Sequence, residues 1–362
     1  MQRKTKLKTI LATVPHILFL FSLLFLFSGC PSAHNFTLYL FSSYTGNVYS
    51  FDLAQETCSP SLFDYGNTAG DYAYFYNGRG YISANPYGGP GQFLRFDPGE
   101  SSPTVTEFTC GWTSGPSAAA FVSAAKGYVG DAGTYNSSTY DPMEDGGVYV
   151  FNPSDTGGPL RKVANSDSNI QGMAYVASVN KLYVSNNNAV NDTVSVIQTL
   201  INTESSEIDV TENPTVILPL GDGKKIYVLS TNYYGESTLT EIDTASDTVT
   251  DTFSVCSGAQ GASICGTKIY YTGGYYDIYS IWHDLGPFFI DVGEAIPVET
   301  EITTAVVGGG QTLVHNNRLY VTKPSGAQST LTVVDLSDYS EVPGSPFDVG
   351  ASGDGIKGMA LY

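Results

Sequence analysis

Positive charge and histidine are scarce in this sequence. Only 16 of the 362 residues are Lys or Arg, against 35 Asp or Glu, and the formal net charge is −19 at pH 7. Such an acidic chain lacks the basic surface that binds nucleic acids and anionic lipid headgroups, so we expect no nucleic-acid partner. Four histidines are also too few to favour a multi-histidine copper or zinc site.

Catalytic and helical signatures are missing as well. The sequence has no Gly-x-Ser-x-Gly elbow before a helix and no Cys-x-x-Cys-His haem motif, so it predicts no catalytic residue and no cofactor. No segment after the N-terminal leader shows the hydrophobic period of a helix. Tyrosine is abundant, at 26 residues, and together with many Val and Thr residues it favours strands.

The N-terminal leader has the composition of an export signal. Four cations and no acid lie in the first eight residues, and an apolar run then extends from about residue 9 to residue 27. A basic segment before an apolar one is typical of a secretory signal. The run is also long enough for a permanent transmembrane helix, which is the alternative.

The end of the leader favours cleavage and lipidation. Ser28-Gly29-Cys30 follows the apolar run, and small residues before a cysteine resemble the lipobox of bacterial lipoproteins, which implies that Cys30 is acylated. We predict a signal peptide over residues 1–29 and a lipidated tether over 30–36. The residue after the cysteine is Pro31, not the Asp that often retains bacterial lipoproteins in the inner membrane. The resemblance therefore implies a protein attached to the outer membrane or cell surface through its lipid.

A short strand motif recurs seven times in the rest of the chain. Each copy has a central tyrosine, as in Lys181-Leu-Tyr-Val184, and the copies lie 42 to 55 residues apart. This spacing is typical of a four-stranded propeller blade. We predict an all-β, seven-bladed β-propeller over residues 37–362. The central tyrosines are Tyr39, Tyr81, Tyr128, Tyr183, Tyr227, Tyr270 and Tyr320.

One copy also carries a family resemblance. Lys181-Leu-Tyr-Val-Ser-Asn186, followed by Asp192-Thr-Val-Ser-Val-Ile197, resembles the YVTN-type propeller repeat, and Lys225-Ile-Tyr-Val228 resembles it less fully. The resemblance implies the propeller fold over essentially all of the chain after the leader. It implies no single function, because this family includes adhesion, surface-layer, binding and enzymatic proteins.

The two ends of the repeat array fit each other. In blade four the innermost strand contains Gly172-Met-Ala174 and precedes the tyrosine strand. The C-terminal segment contains the matching Gly358-Met-Ala360, and no tyrosine strand follows it. The first copy lacks this innermost strand. We therefore predict that residues 356–362 complete blade one and close the ring, which removes an exposed sheet edge.

The predicted connections place aromatic residues on one face of the propeller. Exposed tyrosine among Gly and Asn suits the binding of a glycan or peptide, although tyrosine can also simply pack the loops. The candidate ligand-binding residues are Tyr44, Tyr87, Trp112, Tyr233, Tyr234, Tyr275 and Tyr276.

The longest insertion, residues 131–147 in blade three, is rich in acids and glycine. Its oxygen donors Asp131, Asp141, Glu144 and Asp145 are the type that Ca²⁺ prefers. Their spacing matches no EF-hand, so a solvated acidic loop is the alternative reading to a Ca²⁺ site.

Four cysteines remain besides Cys30, and an even number in an exported protein suggests disulfides. Cys256 and Cys265 bracket a short segment that leads into blade six. We predict that they pair, although the blade geometry could keep them apart.

These observations favour a non-enzymatic, lipid-anchored propeller that binds a ligand or a protein, peptide or glycan partner. The alternatives are an enzyme of the lactonase or quinoprotein dehydrogenase type, and a structural subunit of a surface complex. The scarcity of histidine and of cations disfavours the enzyme, because phosphorylated or acidic substrates need Arg or Lys for binding.

Overall fold

The computed structural model describes residues 36–66, 72–84, 91–100, 102–109, 115–135, 142–144, 146–164, 169–187, 192–303, 310–325 and 327–362. Residues 37–362 form one compact unit. In these ranges no helix is long and apolar enough to span a bilayer. Cys30 and the leader lie outside the described residues.

The sheets form seven blades of antiparallel strands. Blade one contains β1 (Thr37–Ser42), β2 (Asn47–Asp52), β3 (Thr57–Cys58) and β4 (Phe63–Asp64). Blade two contains β5 (Tyr72–Tyr76), β6 (Arg79–Ala84), β7 (Gln92–Phe96) and β8 (Thr106–Glu107). Blade three contains β9 (Pro116–Ser123), β10 (Lys126–Asp131), an inserted hairpin of β11 (Thr134–Tyr135) and β12 (Pro142–Glu144), then β13 (Gly147–Phe151) and β14 (Arg161–Ala164).

The remaining blades are more regular. Blade four contains β15 (Ile170–Val176), β16 (Lys181–Asn186), β17 (Thr193–Gln198) and β18 (Thr203–Asp209). Blade five contains β19 (Pro214–Pro219), β20 (Lys225–Ser230), β21 (Glu236–Asp243) and β22 (Thr248–Ser257). Blade six contains β23 (Gln260–Cys265), β24 (Lys268–Tyr276), β25 (Trp282–Asp291) and β26 (Glu299–Glu301). Blade seven contains β27 (Thr312–His315), β28 (Arg318–Lys323), β29 (Ser329–Asp335) and β30 (Phe347–Val349), and β31 (Ile356–Leu361) follows.

The C-terminal strand closes the ring, as the sequence predicts. β31 pairs antiparallel with β1, with Leu38 opposite Leu361 and Leu40 opposite Met359. Ile356 is fully buried and Met359 is almost so. The predicted seven-bladed fold, with blade one completed by the last strand, is confirmed.

The repeated tyrosines connect neighbouring blades. All seven are buried, and several hydroxyl groups reach a turn of the next blade. The Tyr128 hydroxyl donates to Asn202 over 2.6 Å, and the Tyr183 hydroxyl donates to Asp247 over 2.8 Å. Lys181, two residues before its tyrosine, bonds the same Asp247. In blades three and four the Lys-x-Tyr pattern is therefore an inter-blade contact, whereas Lys225 and Tyr227 both bond Glu241 of their own blade five.

The same contact joins the last blade to the first. Arg318 on blade seven forms an ion pair with Glu56 in the turn between β2 and β3 of blade one. Arg318, two residues before the central Tyr320, thus links blade seven to blade one. Ring closure is held by side chains as well as by the shared sheet.

Each blade presents its loops on two opposite faces. We call the face where the innermost strands begin the mouth face, and the other the base face. Connections from the second to the third strand, such as residues 231–235 and 277–281, lie on the mouth face, because the second strand pairs antiparallel with the innermost one. Thr37, which begins β1, lies on the base face.

The structure contains Cys256 and Cys265 as free thiols, so the predicted disulfide is not formed. Cys256 lies on β22, the outermost strand of blade five, whereas Cys265 ends β23, the innermost strand of blade six. Cys256 is close to the mouth end of β22, whereas β23 starts at the mouth face with Gln260 and ends at Cys265 five residues later. Five residues span roughly 16 Å along a strand, so the two cysteines are also separated along the blade. A disulfide needs Cα atoms within about 7 Å, and the sequence spacing concealed this separation.

Candidate functional site

The hairpin of blade six extends further onto the mouth face than its neighbours. β24 and β25 continue their pairing to Tyr275 opposite His283 and Tyr276 opposite Trp282. At the tip, Asp277 Oδ1 accepts hydrogen bonds from the amides of Tyr279, over 2.8 Å, and Ile281, over 2.9 Å. The carboxylate therefore fixes the turn that ends the hairpin.

The second oxygen of Asp277 holds a histidine. Asp277 Oδ2 lies 3.0 Å from His283 Nε2, and the imidazole stacks on Tyr275 with ring centroids 5.1 Å apart. The hydrogen bond from His283 and those from the turn amides lower the pKa of Asp277 below its ordinary value. The imidazole is thus fixed on one side by a carboxylate and on one face by a tyrosine ring, while 44% of its side chain remains exposed.

Four rings form what we call the aromatic platform, on the opposite face of the hairpin from His283 because successive strand residues alternate between faces: Tyr233, Tyr234, Tyr276 and Trp282. Tyr234 and Tyr276 stack with centroids 5.8 Å apart, and Trp282 meets Tyr276 at 5.1 Å and Tyr233 at 5.9 Å. The Tyr276 amide also donates to the Tyr233 carbonyl across 3.3 Å. Contacts between rings and backbone thus join the loop of blade five to the hairpin of blade six.

A glycine in β24 gives Trp282 its position. The indole lies so close to the backbone of Gly274 that a Cβ at this residue would overlap it. The indole Nε1 donates to Asp284 Oδ1 over 2.7 Å, and Asp284 Oδ2 lies 3.0 Å from Lys323 Nζ at the end of β28. Trp282, Asp284 and Lys323 therefore form a chain of polar contacts from blade six to blade seven.

Other contacts on this face join blades that are not adjacent. Tyr72 on blade two donates to Gln171 Oε1 on blade four over 2.8 Å. Burial raises the pKa of Tyr233, and the positive charge of Lys357 on β31 opposes this effect. Lys357 thus acts electrostatically on the loop of blade five from blade one, and these contacts bring separate blades together around the axis.

A buried acid on the mouth face of blade one, Asp354, has a structural role in the fold. Asp354 accepts hydrogen bonds from Thr45 and Tyr49, each over 2.5 Å, and from Asn47 over 3.2 Å. Burial raises its pKa, but these bonds and one from the Ala351 amide outweigh burial, so its pKa lies below the ordinary value. Asp354 joins the segment before β31 to the loop after β1.

The structure brings some of the predicted ligand-binding residues together. Tyr233, Tyr234 and Tyr276 belong to the platform, and Tyr275 is the next residue along, against His283. Tyr44 is exposed on blade one, where its ring lies over Gly355. Tyr87 and Trp112 lie outside the described residues. Ligand binding by this set stays a prediction.

The acidic insertion is described only in part. Asp131 is fully buried, and its Oδ1 accepts hydrogen bonds from the amides of Gly115 and Gly133, each over 3.2 Å. Asp141 and Asp145 lie outside the described residues, as does the side chain of Glu144. Among the described residues no group of three His, Cys, Asp or Glu is placed to hold a metal ion. Ca²⁺ binding stays a prediction, while Asp131 itself has a structural role.

Sequence reasoning missed His283, Trp282, Asp284 and Lys323. A signal was present, because Tyr275-Tyr276 and Trp282-His283-Asp284 flank a five-residue turn that contains Asp277. Facing aromatic pairs around a turn are typical of an extended hairpin. The contact of Lys323 with Asp284 had no local signal, because these residues belong to different blades.

The class of protein is set by the fold: a seven-bladed β-propeller with a histidine–aspartate pair and an aromatic platform on its mouth face. No family model matches the chain, and no curated protein matches its sequence. Comparisons with solved structures do find relatives of its fold.

Three of these structures illustrate the range. A candidate 6-phosphogluconolactonase from Bacteroides uniformis is 10% identical, with 91% of this chain and 100% of that chain covered and a TM-score of 0.66. The periplasmic gluconolactonase of Pseudomonas aeruginosa is 11% identical, with 90% and 99% covered and a TM-score of 0.64. Kuenenia stuttgartiensis hydrazine synthase is 14% identical, with 72% and 76% covered and a TM-score of 0.58. At these identities the likeness shows the fold.

The expectation of a non-enzymatic ligand-binding propeller is wrong in the light of these comparisons. Structures that match this fold over nearly the whole length of both chains carry lactonase names. The expectation relied on the scarcity of histidine in the sequence. One histidine is enough for a general base when a carboxylate orients it, and the fold supplies that carboxylate.

Proposed function

We propose that the protein is a lactonase, an enzyme that hydrolyses the cyclic ester of a sugar acid, and that it acts beside His283 on the mouth face. The observation that carries this proposal is the pairing of His283 Nε2 with Asp277 Oδ2 at 3.0 Å. The likeness over nearly the full length to propellers with lactonase names supports this choice of reaction.

The pair has the arrangement of a general base. A carboxylate only accepts hydrogen bonds, so His283 Nε2–H donates to Asp277 and Nδ1 is left to take a proton. A water molecule attacks the lactone carbonyl carbon while Nδ1 removes its proton. The ring C–O bond then breaks, the leaving oxygen takes the proton back from the imidazolium, and the product is the open hydroxy acid.

Lys323 of blade seven contacts this strand of the hairpin. Its ammonium group is 3.0 Å from Asp284, the residue after His283. Successive residues of a strand face opposite sides, so Asp284 and Lys323 lie on the other side of the hairpin from His283 and take no part in the proposed proton transfer. Because Asp284 already balances this cation and the whole chain has a net charge of −19, the site favours an unphosphorylated lactone.

The reaction is tested by following acid release from D-glucono-1,5-lactone in a pH-stat, with the spontaneous rate subtracted. His283→Ala should lower kcat/KM by about 10²–10⁴-fold, the range for a lost general base. Asp277→Asn should also lower it, because the imidazole loses its orientation. His315→Gln, at the base end of β27, is the matched control and should retain activity. Wild-type protein no faster than the spontaneous reaction, or an active His283→Ala variant, would contradict the proposal.

We also propose that the enzyme is exported and held at the outer membrane or cell surface by a lipid on Cys30, as a lipoprotein with YVTN-type repeats. The basic and apolar leader and the Ser28-Gly29-Cys30 segment support the address, and the seven tyrosine motifs support the repeat type. Substrate would then be hydrolysed outside the cytoplasm.

A further inference from the structure

The aromatic platform is an unusual surface for such an acidic protein. Tyr234 is 83% exposed, and Tyr233 and Tyr276 are 40% and 39% exposed. Large aromatic side chains usually bury most of their surface, and contiguous exposed apolar patches commonly mark binding sites. These rings also hold one another in place, so the surface is formed before any ligand arrives.

The polar edge of the platform is an ion pair with little net charge. Asp284 accepts the hydrogen bond from the Trp282 indole and is paired with Lys323. The two opposite charges offset each other, which weakens the attraction of this edge for a charged ligand. The ligand that fits is therefore uncharged and combines an apolar face with hydroxyl groups.

We propose that the aromatic platform binds an uncharged sugar ring, whose C–H face stacks on Tyr234, Tyr276 and Trp282. Ring hydroxyls then reach the polar edge at Asp284 and the hydroxyl groups of the tyrosines. Stiff aromatic side chains lose little conformational entropy on binding, which suits this role. This site does not depend on the lactonase reaction, since none of the platform residues takes part in the proposed proton transfer.

The chain has only two tryptophans, which gives a direct readout. In a Trp112→Phe variant, Trp282 is the only source of tryptophan fluorescence. Cellotetraose, maltotetraose and chitotetraose serve as uncharged probes, tetragalacturonic acid as the anionic one and an oligo-arginine peptide as the cationic one. At least one uncharged probe should shift the emission of Trp282 saturably, and both charged probes should bind more weakly.

Variants in the Trp112→Phe background locate the effect. Tyr234→Ala and Tyr276→Ala should each weaken binding about tenfold or more, as expected for the loss of an aromatic anchor. Tyr279→Ala is the matched control, because Tyr279 is 76% exposed on the same hairpin but outside the platform, and it should bind normally. His283→Ala should also bind normally, which separates this proposal from the catalytic one.

Three results would overturn the proposal. The first is no response to any of the three uncharged tetrasaccharides. The second is unchanged affinity in both platform variants. The third is tighter binding of the arginine peptide or of tetragalacturonic acid than of every uncharged probe.

Discussion

Deletion of residues 356–362 should destabilise the propeller severely, because β31 is the innermost strand of blade one. The deletion removes the side chains of Ile356 and Met359, which are 0% and 6% exposed. Burial of such side chains contributes about 1.5–3 kcal/mol each, so their loss costs about 3–6 kcal/mol. The backbone bonds to β1 add about 1 kcal/mol each. The total is comparable with the roughly 5–15 kcal/mol by which a domain is stable.

Urea unfolding monitored by circular dichroism measures this loss. Met359→Ala should lower the free energy of unfolding by about 2–5 kcal/mol. Met173→Ala removes the corresponding side chain from the matching strand of blade four, where it is only partly buried, and is the comparison variant. A loss in Met359→Ala at least as large as in Met173→Ala would indicate that the closing strand is as firmly held as an internal one. A truncated chain that is soluble and unfolds at the wild-type urea concentration would refute ring closure by β31.

Three further outcomes are expected. Cys30→Ala should abolish labelling by a clickable fatty acid in cells, and retained labelling would rule out this anchor. Because the pKa of Asp354 is lowered on folding, its stabilisation is present above the ordinary carboxyl pKa of about 4 and is lost as the pH falls through the folded value. In Asp354→Asn the melting temperature should therefore be lower at pH 6, and the difference from wild type should shrink toward pH 3; a constant difference would contradict this. Maleimide should label the exposed Cys265 in the native protein but not Cys256, whose pKa is raised by burial and by Glu299; equal labelling by mass spectrometry would contradict the structure.

The architecture was predictable because it repeats. The tyrosine of each copy occupies an equivalent buried position, so its period of 42 to 55 residues reports the blade directly. The matching segments Gly172-Met-Ala174 and Gly358-Met-Ala360 likewise showed how the ring closes. A short motif that repeats along the sequence is therefore enough to predict the number of blades and the closure of the ring.

The candidate site was only partly predictable because it depends on contacts between blades. Tyr233 and Tyr234 could be assigned to the mouth face from connectivity, but their packing against Trp282 depends on the extension of β24 and β25 beyond the usual strand length. The ion pair of Asp284 with Lys323 joins blade six to blade seven. The disulfide prediction failed for the same reason, since nearness in sequence between Cys256 and Cys265 conceals their distance across the fold.

The position of Thr37 has a consequence for access to the site. β1 is the second strand of its blade, so the chain joins the propeller on the base face, opposite the hairpin of blade six. The first strand residue and the candidate site therefore lie on opposite faces of the propeller. A fusion partner joined directly before Thr37 would enter on the base face, where Thr37 bonds Tyr362, and a ligand could occupy the mouth face without touching that junction.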